Sequence, residues 1–453
     1  MPINEGDNMH FQYQKVLVIG LARSGKAAIG LLHKLGVNQI ILTEIKEVED
    51  QSFLNEMGVT FVKQSDEVFE DDYDLVIKNP GVPPVSPFIQ KLKERSIPVW
   101  TEIELAFSVA KSQHYVAITG TNGKTTTTTL TYEIFKQAYG EKALVGGNIG
   151  TPLCELVLKH HLMEEEGYYI ALEISNAQLV DIVTFKPEVS TIINLTPDHI
   201  DFMGGLDKYY ESKTRVYENM DKEGLFIKNV DDNLVEEYTS HYPMPCLVQT
   251  VSLKRNDTDA YLKDGWMYFH GEACLELNKI TLPGEHNLQN IMIASMACLK
   301  EGVSFKHIQD TIYQFKGVEH RIEFVRELDG VKYYNDSKGT NTDATITALK
   351  SFDKGVILLI GGFEKGLDMS VMLPYMGCVK QVIGYGACGK RIAHDLIGDD
   401  AIVVSGLQEA VIQAKQLAEP GDIVLLSPTT SSFDQYNNFE ERGDHFKQIV
   451  NTL

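Results

Sequence analysis

Short runs of apolar residues recur along the chain and are separated by longer stretches with helix-type spacing of apolar positions. The clearest runs, each expected to be a strand, are Val16–Ile19, Ile40–Leu42, Leu75–Ile77, Tyr115–Thr119, Tyr169–Leu172, Thr191–Asn194, Val356–Ile360, Val379–Gly384 and Ile423–Leu426. Apolar strands that alternate with helical stretches are typical of parallel sheets joined by crossover helices. The pattern therefore predicts an α/β fold.

Three stretches of the chain each open with a strand and a turn, and each could form a sheet of its own. The length of 453 residues agrees with three domains of about 150 residues each. Trp100–Ser112 has the pattern of a helix ahead of a new strand, and Phe315–Arg321 looks like a second junction. We therefore predict domains at residues 1–110, 111–316 and 317–453.

Composition and charge exclude several classes of protein. The chain has 41 Lys+Arg against 63 Asp+Glu, a net charge of −22, which argues against a general nucleic-acid binder. Hydrophobic residues make up 43% of the chain, too many for a disordered protein. The 6 cysteines form no CxxC pair, so we expect neither a disulfide framework nor a zinc site. With no signal-peptide pattern and no apolar run near ~20 residues, we expect a cytoplasmic protein without membrane insertion.

A glycine-bearing turn between a β-branched strand and a helix carries the strongest chemical signal. It comprises Gly120, Thr121, Asn122, Gly123, Lys124, Thr125 and Thr126. Small residues let backbone N–H groups converge on phosphate oxygens, and the helix N-terminus favours an anion. Lys124 would reach the β/γ-phosphates and the Thr125 hydroxyl would bind Mg²⁺. The alternative is an ordinary strand–turn–helix corner, since Ile118 stands where the longer phosphate-loop pattern has glycine.

A second glycine-rich turn, Gly20–Lys26, follows the first strand. It has the spacing of a phosphate loop, but Ala27 replaces the hydroxyl residue that would bind magnesium. The turn better matches a dinucleotide-type G-x-A-x-x-G turn, and Glu44 lies about 20 residues further on, where an acid can bond a ribose hydroxyl. Simple close packing of helix and strand is the alternative.

Polar side chains follow several of the predicted strands. Glu173 ends one strand and, with Thr125, could supply two oxygen ligands to Mg²⁺. His199 follows another strand in the segment D-H-x-D, and we favour a functional role for it. Tyr209 and Lys213 are four residues apart on a predicted helix and therefore share a face.

Further polar residues lie in the second half of the chain. Asn287 and Asn290 open a predicted helix on one side of it, an arrangement that could equally be capping chemistry. Arg321, Asp336 and Lys338 flank the short strand Val331–Tyr334. These three could contact a ribose and clamp a γ-phosphate, or form only a surface ion network.

In this order, the motifs resemble those of the Mur ligase family of bacterial cell-wall synthesis. The resemblance spans nearly the whole chain: the Gly20 turn, G-T-N-G-K-T, E-x-S, D-H-x-D, G-x-H-N-x-x-N, H-R, D-S-K-x-T and G-G-x-x-K-G-x-D. The tail, Leu425–Pro428 and Ser431–Gly443, is most similar to the D-glutamate-adding branch, and the D-N-P-R string of the diamino-acid-adding branch is absent. Two departures from the family pattern are Asn176-Ala177, where E-L-S-S-F-Q-L has Ser-Phe, and Phe202, where an Arg usually follows D-H-x-D.

The resemblance implies a three-domain α/β enzyme: an N-terminal Rossmann-like domain, a central P-loop ATPase-like domain and a C-terminal Rossmann-like domain. The implied activity is ATP-dependent ligation of D-glutamate to UDP-N-acetylmuramoyl-L-alanine through an acyl phosphate and a tetrahedral intermediate, carried out by a monomer. The implied cofactors are ATP and two Mg²⁺ ions, with Lys213 carbamylated.

The resemblance also implies a role for each matching residue. The catalytic residues would be Lys124, His199, Lys213 and Arg321. ATP would be bound by Gly120, Thr121, Asn122, Gly123, Lys124, Thr125, Thr126, Asn287, Asn290, Arg321, Asp336 and Lys338. The metal ligands would be Thr125, Glu173, His199 and Lys213. The UDP-sugar would be bound by Arg23, Ser24, Glu44, Gly81, Asn148, Ser175, Gln178 and His199. D-glutamate would be bound by Thr340, Lys365, Ser432, Phe433 and Phe439.

Three alternatives stay open at this point. One is another ligase of the same class, either Mur-type or folylpolyglutamate-type, of which the latter shares the phosphate loop but lacks the N-terminal nucleotide domain. A dinucleotide-dependent oxidoreductase would use the Gly20 turn but leaves Lys124, Thr125 and Lys338 without a role. A nucleotide switch would bind ATP and form no amide.

Overall fold

The computed structural model describes residues 11–49, 51–197 and 200–453. The chain packs as two compact units, one reaching Ile280 and including Gln289–Tyr313, the other made of Thr281–Leu288 and Gln314–Leu453. Three sheets, of five, nine and six strands, run through the described residues. The predicted α/β class with three sheets is confirmed, while the domain boundaries near residues 110 and 316 stay predictions.

The first sheet is all parallel, with strand order β3-β2-β1-β4-β5. Its elements are β1 (Lys15–Ile19), α1 (Arg23–Lys34), β2 (Gln39–Glu44), α2 (Ser52–Glu56), β3 (Val59–Lys63), β4 (Leu75–Lys78), α3 (Pro87–Glu94), β5 (Val99–Trp100) and α4 (Glu102–Val109). The strand order reverses between β1 and β4, where an open α/β sheet leaves a crevice for a ligand. The prediction of a helix from Trp100 was wrong, because Trp100 pairs with Ile77 as an edge strand and the helix begins at Glu102.

The second sheet has the order β14-β13-β12-β11-β10-β9-β6-β8-β7. Its strands are β6 (His114–Thr119), β7 (Ala143–Gly147), β8 (Tyr169–Glu173), β9 (Val189–Ile192), β10 (Leu225–Asn229), β11 (Leu247–Ser252), β12 (Ala260–Lys263), β13 (Trp266–Phe269) and β14 (Glu272–Glu276). Its helices, with those that follow it, are α5 (Lys124–Tyr139), α6 (Leu153–Lys159), α7 (Asn176–Leu179), α8 (Ile200–Met203), α9 (Leu206–Thr214), α10 (Asn233–His241), α11 (Glu285–Lys300) and α12 (Phe305–Gln314). The predicted strand Thr191–Asn194 is displaced: β9 ends at Ile192, and the Asn194 side chain instead bonds the loop at Asn122.

The third sheet has the order β15-β16-β20-β17-β18-β19 and is parallel except for the β15–β16 pair. Its elements are β15 (Glu323–Leu328), β16 (Val331–Asn335), α13 (Thr342–Leu349), β17 (Val356–Gly361), β18 (Val379–Tyr385), α14 (Gly386–Ile397), β19 (Ile402–Val403), α15 (Leu407–Leu417), β20 (Ile423–Leu426) and α16 (Phe439–Thr452). Because side chains alternate along a strand, Leu358 and Ile360 enter one buried cluster while Ile357 and Leu359 enter the other.

Burial explains why the first two sheets form one compact unit. One continuous apolar cluster contains Val16 of β1, Leu105 of α4, Leu153 of α6 and Ile170 of β8. Helix α1 packs on α6 and α4 within this cluster. The six cysteines are free, and four of them are buried. Across the described part of the chain, the helices are too short or too polar to cross a membrane.

Candidate nucleotide-binding site

The phosphate loop connects β6 to α5 in a conformation that two glycines permit. Gly120 and Gly123 have φ values of +147° and +83°, which side-chain-bearing residues rarely adopt. A Cβ on Gly123 would lie 2.6 Å from Asn290 Oδ1, so the position has no room for one either. Gly123 caps α5 without a side-chain hydrogen bond, which leaves the first N–H groups of the helix available to an anion.

Two ammonium groups meet the carbonyl oxygen of Gly120. Lys124 Nζ lies 2.9 Å from this oxygen and 2.7 Å from Thr121 O. Lys213 Nζ, from α9, lies 2.9 Å from the same Gly120 oxygen, although its side chain is fully buried. The Lys213 ammonium also stands 4.7 Å from the centre of the Tyr209 ring, so the two residues of the predicted pair lie together. The loop thus concentrates positive charge beside its open amides.

The neighbouring segment braces the loop. Asn122 N donates to Asn194 Oδ1 at 2.8 Å, and Asn194 Nδ2 donates back to Asn122 O at 3.1 Å. Thr121 Oγ1 donates to Thr196 O at 3.1 Å. Asp198 and His199, two and three residues further along, lie outside the described residues, so the role predicted for His199 stays a prediction.

The donor set beside the loop suits a hard divalent cation. Glu173 ends β8 in register with Ile118 of β6, and its carboxylate is almost completely buried. Its Oε1 accepts from Asn148 Nδ2 at 2.9 Å, while Oε2 has no hydrogen-bond partner among the described residues. A buried carboxylate oxygen without a donor is costly unless a cation meets it. Thr125, buried in the first turn of α5, offers a hydroxyl, and Mg²⁺ prefers such oxygen ligands.

In the first sheet, the glycine-rich turn after β1 lies at the crevice between β1 and β4. Gly20 follows β1 with φ +96°, and a Cβ on Gly25 would lie 1.9 Å from Gly20 O, so helix α1 and the strand end are in tight contact. Leu21 N donates to Glu44 Oε1 at 2.5 Å. The acid predicted for ribose therefore also fixes the turn.

Opposite this turn, Asn79 follows β4. Its Oδ1 accepts from Gly81 N at 3.0 Å, and its Nδ2 is buried without a hydrogen-bond partner among the described residues. Arg23, at the start of α1, is mostly exposed and lies 3.6 Å from Glu155. Ser24 lies in the same first turn. The crevice between β1 and β4 therefore carries an amide donor, an acid and helix N–H groups.

The E-x-S segment uses two predicted substrate residues for its own structure. Ser175 and Gln178 form a capping box at the start of α7, in which Ser175 N donates to Gln178 Oε1 at 3.0 Å. Gln178 is almost fully buried, and its Nε2 lies 3.5 Å from Glu102 Oε1. Burial raises the pKa of Glu102 to about 7, although Cys154 N–H and Gln178 favour the ionised form. The muramoyl-end contacts of Ser175 and Gln178 stay predictions.

In the second unit, Arg321 and Asp336 lie close enough to interact electrostatically. Burial raises the pKa of Asp336 to about 7, and the Ser427 hydrogen bond and the Arg321 charge only partly offset it. Asp336 Oδ2 accepts from Ser427 Oγ at 2.7 Å. The Nε of Arg321 is buried without a hydrogen-bond partner among the described residues, and it is a donor of the kind a phosphate oxygen accepts from. The Lys338 ammonium stands 5.6 Å from the centre of the Phe439 ring.

The two amides of α11 have separate surroundings. Asn287 Nδ2 donates to Pro283 O at 2.7 Å in the second unit. Asn290, in the first unit, accepts from Thr127 Oγ1 at 3.2 Å and crowds Gly123. Asn290 therefore supports the phosphate loop.

The residues predicted for the amino-acid substrate all lie in the second unit. Lys365 Nζ lies 3.2 Å from Thr340 O, so these two are neighbours. Burial, and then the charge of Arg442, lowers the pKa of Lys365. Ser432 is buried, whereas Phe433 is 68% exposed.

Arg442 is a buried cation that the sequence argument did not select. Its guanidinium is fully buried and donates to Ser337 Oγ at 3.0 Å, Ser337 O at 2.8 Å and Thr430 O at 3.2 Å. A fully buried arginine is rare unless its donors are satisfied. The only available signal was its place in the tail motif F-E-E-R-G.

The parallel sheets, the glycine-hinged loop before α5 and the lysine at its helix start define an α/β nucleotide-binding protein of the phosphate-loop class. Comparisons with known proteins narrow this class. Residues 118–298 match the Mur ligase middle domain, and residues 320–430 match the Mur ligase, glutamate ligase domain.

Full-length relatives agree with these matches. The chain is 39% identical, over 98% of both chains, to UDP-N-acetylmuramoylalanine–D-glutamate ligase of Geobacillus sp. (strain WCH70). It is 38% identical, again over 98% of both, to the protein of that name from Geobacillus kaustophilus (strain HTA426). The solved UDP-N-acetylmuramate–alanine ligase of Thermotoga maritima has the same fold, with a TM-score of 0.58 at 19% identity over 97% of this chain and 99% of that one. The chain belongs to the Mur ligase family, and it is an ATP-dependent ligase.

Proposed function

We propose that this ligase joins D-glutamate to UDP-N-acetylmuramoyl-L-alanine in the synthesis of peptidoglycan precursors. The observation that carries the proposal is the 39% identity over 98% of the chain to a relative of that name. The local structure supports it, since the phosphate loop, Glu173 and two lysines provide the charges that such a reaction needs.

The chemistry follows from the weakness of a carboxylate as an electrophile. Transfer of the γ-phosphoryl group of ATP to the terminal carboxylate gives an acyl phosphate and ADP. The amine of D-glutamate then forms the C–N bond and loses a proton, and collapse of the tetrahedral intermediate breaks the C–O bond and releases phosphate. Both steps gather anions, so preorganised cations and N–H groups lower the barrier most.

Several predicted ATP contacts have a role in this scheme. The N–H groups at the start of α5 would hold the phosphates, and Lys124 would turn from the Gly120 and Thr121 carbonyls to the β/γ-phosphates. Arg321, with a buried Nε that lacks a partner among the described residues, would stabilise charge on the γ-phosphoryl group. Asp336 and Asn287 would contact the nucleoside.

The metal ligands are part of the same proposal. Thr125 and Glu173 would hold one Mg²⁺, whose charge would offset that of the phosphates. His199 and Lys213 would hold a second ion, with Lys213 as a carbamate. Carbamylation adds CO₂ to the neutral amine and releases a proton, so the ammonium that now contacts Gly120 O would become an anionic oxygen ligand.

The amino-acid site is assigned by charge. D-glutamate carries two carboxylates, and Lys365 beside Thr340 is an exposed cation suited to one of them. A site for lysine would need an acid at this place, since like charges repel. We also infer that the enzyme acts as a monomer in the cytoplasm, in keeping with its net charge of −22 and its scattered free cysteines.

Phosphate release tests the reaction and its specificity together. The enzyme is given ATP, Mg²⁺ and UDP-N-acetylmuramoyl-L-alanine, with D-glutamate, L-glutamate, L-lysine or L-alanine supplied separately. We expect release only with D-glutamate, together with a matching mass gain of the nucleotide sugar. Release with L-lysine or L-alanine would overturn the assignment of Lys365, release with L-glutamate would overturn the D configuration of the substrate, and no release with any of them would overturn the proposed reaction.

Lys124→Ala separates ligation from the alternatives. Removing one charge contact to a transition state typically costs about 10²–10³ in rate. We expect that loss in Lys124→Ala and none in Lys136→Ala, an exposed lysine further along the same helix. Equal rates in the two variants would argue that the loop is not the ATP site.

A further inference from the structure

A cavity of about 720 Å³ lies in the first unit, on the side of α9 away from the phosphate loop. Helix α9 directs Lys213 toward Gly120, whereas Lys208 and Glu211 of the same helix, and Arg215 directly after it, line the cavity. Residues of α3 and of the segment before it form the facing wall. The residues assigned above to ATP, the UDP-sugar, the amino acid or a metal do not line this cavity.

The walls are mainly apolar and rigid. They include Pro84, Val85, Met203, Pro243 and Pro245. The volume lies within the range of sites that hold drug-sized molecules, and such sites pair apolar walls with a few polar groups. Val85 is 37% exposed, so the cavity is open at this edge.

One wall residue presents a polar atom that needs a partner. Tyr217 is 1% exposed, and its hydroxyl has no hydrogen-bond partner among the described residues. Burial raises the pKa of Tyr217, and the nearby Thr214 hydroxyl, a smaller influence, lowers it; Thr214 Oγ1 itself donates to Glu211 O at 2.8 Å. A buried hydroxyl without a partner is costly, and a ligand atom in the cavity would supply one.

Of the three basic side chains that line the cavity, two form ion pairs with acidic residues and the third, Lys208, forms none with the described residues. Lys93 is held by Asp181 at 2.7 Å, and Arg215 is held by Glu218 at 2.6 Å. Glu211 faces the Tyr242 hydroxyl and raises its pKa, after the larger effect of burial. Lys208 is exposed and has no ion-pair partner within the part of the chain that is described.

We infer that this cavity is a second small-molecule site, for an apolar ring or short chain that carries one anionic group. The ring would pack on the proline and valine walls, a polar atom would meet the Tyr217 hydroxyl, and a carboxylate, sulfonate or phosphate would pair with Lys208. Such a ligand binds without displacing ATP or the UDP-sugar. The inference does not depend on which amino acid the enzyme ligates.

Calorimetric titration with 6-hydroxy-2-naphthoate, which carries both a hydroxyl for Tyr217 and a carboxylate for Lys208, tests the site on the full chain, with the neutral alcohol 6-(hydroxymethyl)-2-naphthol as the matched probe. We expect one molecule of naphthoate to bind per chain, several-fold tighter than the alcohol. Lys208→Met should remove that preference, whereas Lys222→Met, at an exposed lysine outside the cavity, should keep it. Tyr217→Phe should weaken both probes several-fold, and Tyr210→Phe, at a buried tyrosine that does not line the cavity, should not.

Filling the cavity provides the decisive variant. Val85→Trp should abolish binding, and Gln90→Trp is the substitute if circular dichroism shows that Val85→Trp is misfolded. Unchanged binding in the filled variant, displacement of naphthoate by ATP or UDP-N-acetylmuramoyl-L-alanine, or no saturable binding of naphthoate would each overturn the inference.

Discussion

Lys78 forms a buried ion pair that joins the first sheet to the segment after E-x-S. At the end of β4, its Nζ lies 3.2 Å from Asp181 Oδ2, with side-chain exposures of 0% and 2%. The same ammonium donates to Ala177 O at 3.3 Å. Lys93 meets the other carboxylate oxygen at 2.7 Å, but its side chain is 37% exposed. Burial lowers the pKa of Lys78, and the Asp181 charge opposes that effect.

Lys78→Met should destabilise the first unit much more than Lys93→Met. Breaking a buried pair typically costs 3–5 kcal/mol because a buried charge is left uncompensated. Lys93 still compensates Asp181, so we expect the lower end, about 3 kcal/mol. The Lys93 side chain is partly exposed to solvent, so removing its ion pair with Asp181 should lower the free energy of unfolding by only about 0–1 kcal/mol. Lys78→Met with Asp181→Leu should cost less than Lys78→Met alone, because no charge is then stranded.

Trp100 offers a local reporter for this measurement. It lies in β5, paired with Ile77 beside Lys78, and the only other tryptophan is Trp266. In a Trp266→Phe background, urea unfolding followed by fluorescence reports the first sheet alone, which matters because a protein of this size rarely unfolds in one step. The free-energy change is taken from the midpoint at constant slope. Equal losses in Lys78→Met and Lys93→Met would refute the reasoning.

Three further predictions concern buried or strained positions. The pKa of Glu102 is about 7 in the folded protein and 4.5 in the unfolded chain, so between these pH values the folded protein holds a proton that the unfolded chain has lost, and the stabilising effect is full below pH 4.5 and disappears as the pH rises through 7. In urea titrations between pH 4.5 and 7, the unfolding free energy of the wild type should fall by about 3 kcal/mol relative to that of Glu102→Gln. A difference between the two proteins that does not change with pH would contradict this. Gly123→Ala should lower the free energy of unfolding by about 2 kcal/mol more than Gly140→Ala and raise the KM for ATP, because both glycines have positive φ but only Gly123 lacks room for a Cβ. Equal melting temperatures for the two variants would contradict this. Glu173→Gln should raise the Mg²⁺ concentration needed for half-maximal phosphate release at least about tenfold. Glu188, whose carboxylate accepts from a backbone N–H, provides the control, and Glu188→Gln should leave that concentration unchanged. Equal Mg²⁺ dependence of the two variants would exclude Glu173 as a ligand.

The strand–helix pattern was readable from sequence where a strand is buried on both faces. Val356–Ile360 is an uninterrupted apolar run, and the structure places it at the centre of the third sheet. The antiparallel extension of the second sheet, β12 to β14, escaped prediction because its strands are short and partly exposed. Trp100 was misassigned because its pairing with Ile77 is a tertiary contact that local periodicity does not encode.

The phosphate loop was equally readable, because its chemistry is local. Gly120, Gly123, Lys124 and Thr125 act within one turn of chain, so their spacing is itself the signal. The S-x-x-Q spacing of Ser175 and Gln178 fits the capping box that the structure shows, but that spacing does not say whether the glutamine also meets a substrate.

Polar groups that depend on distant partners could not be predicted in this way. Arg442 donates to Ser337, 105 residues earlier, and Ser427 donates to Asp336, 91 residues earlier. An isolated arginine or aspartate in a sequence is most often a solvated surface group. Only the fold brings Ser337 and Thr430 to the Arg442 guanidinium, and that satisfaction of donors allows its complete burial. The charge of Arg442 in turn lowers the pKa of Lys365, so the electrostatics of the proposed amino-acid site depend on a residue that no local motif identifies.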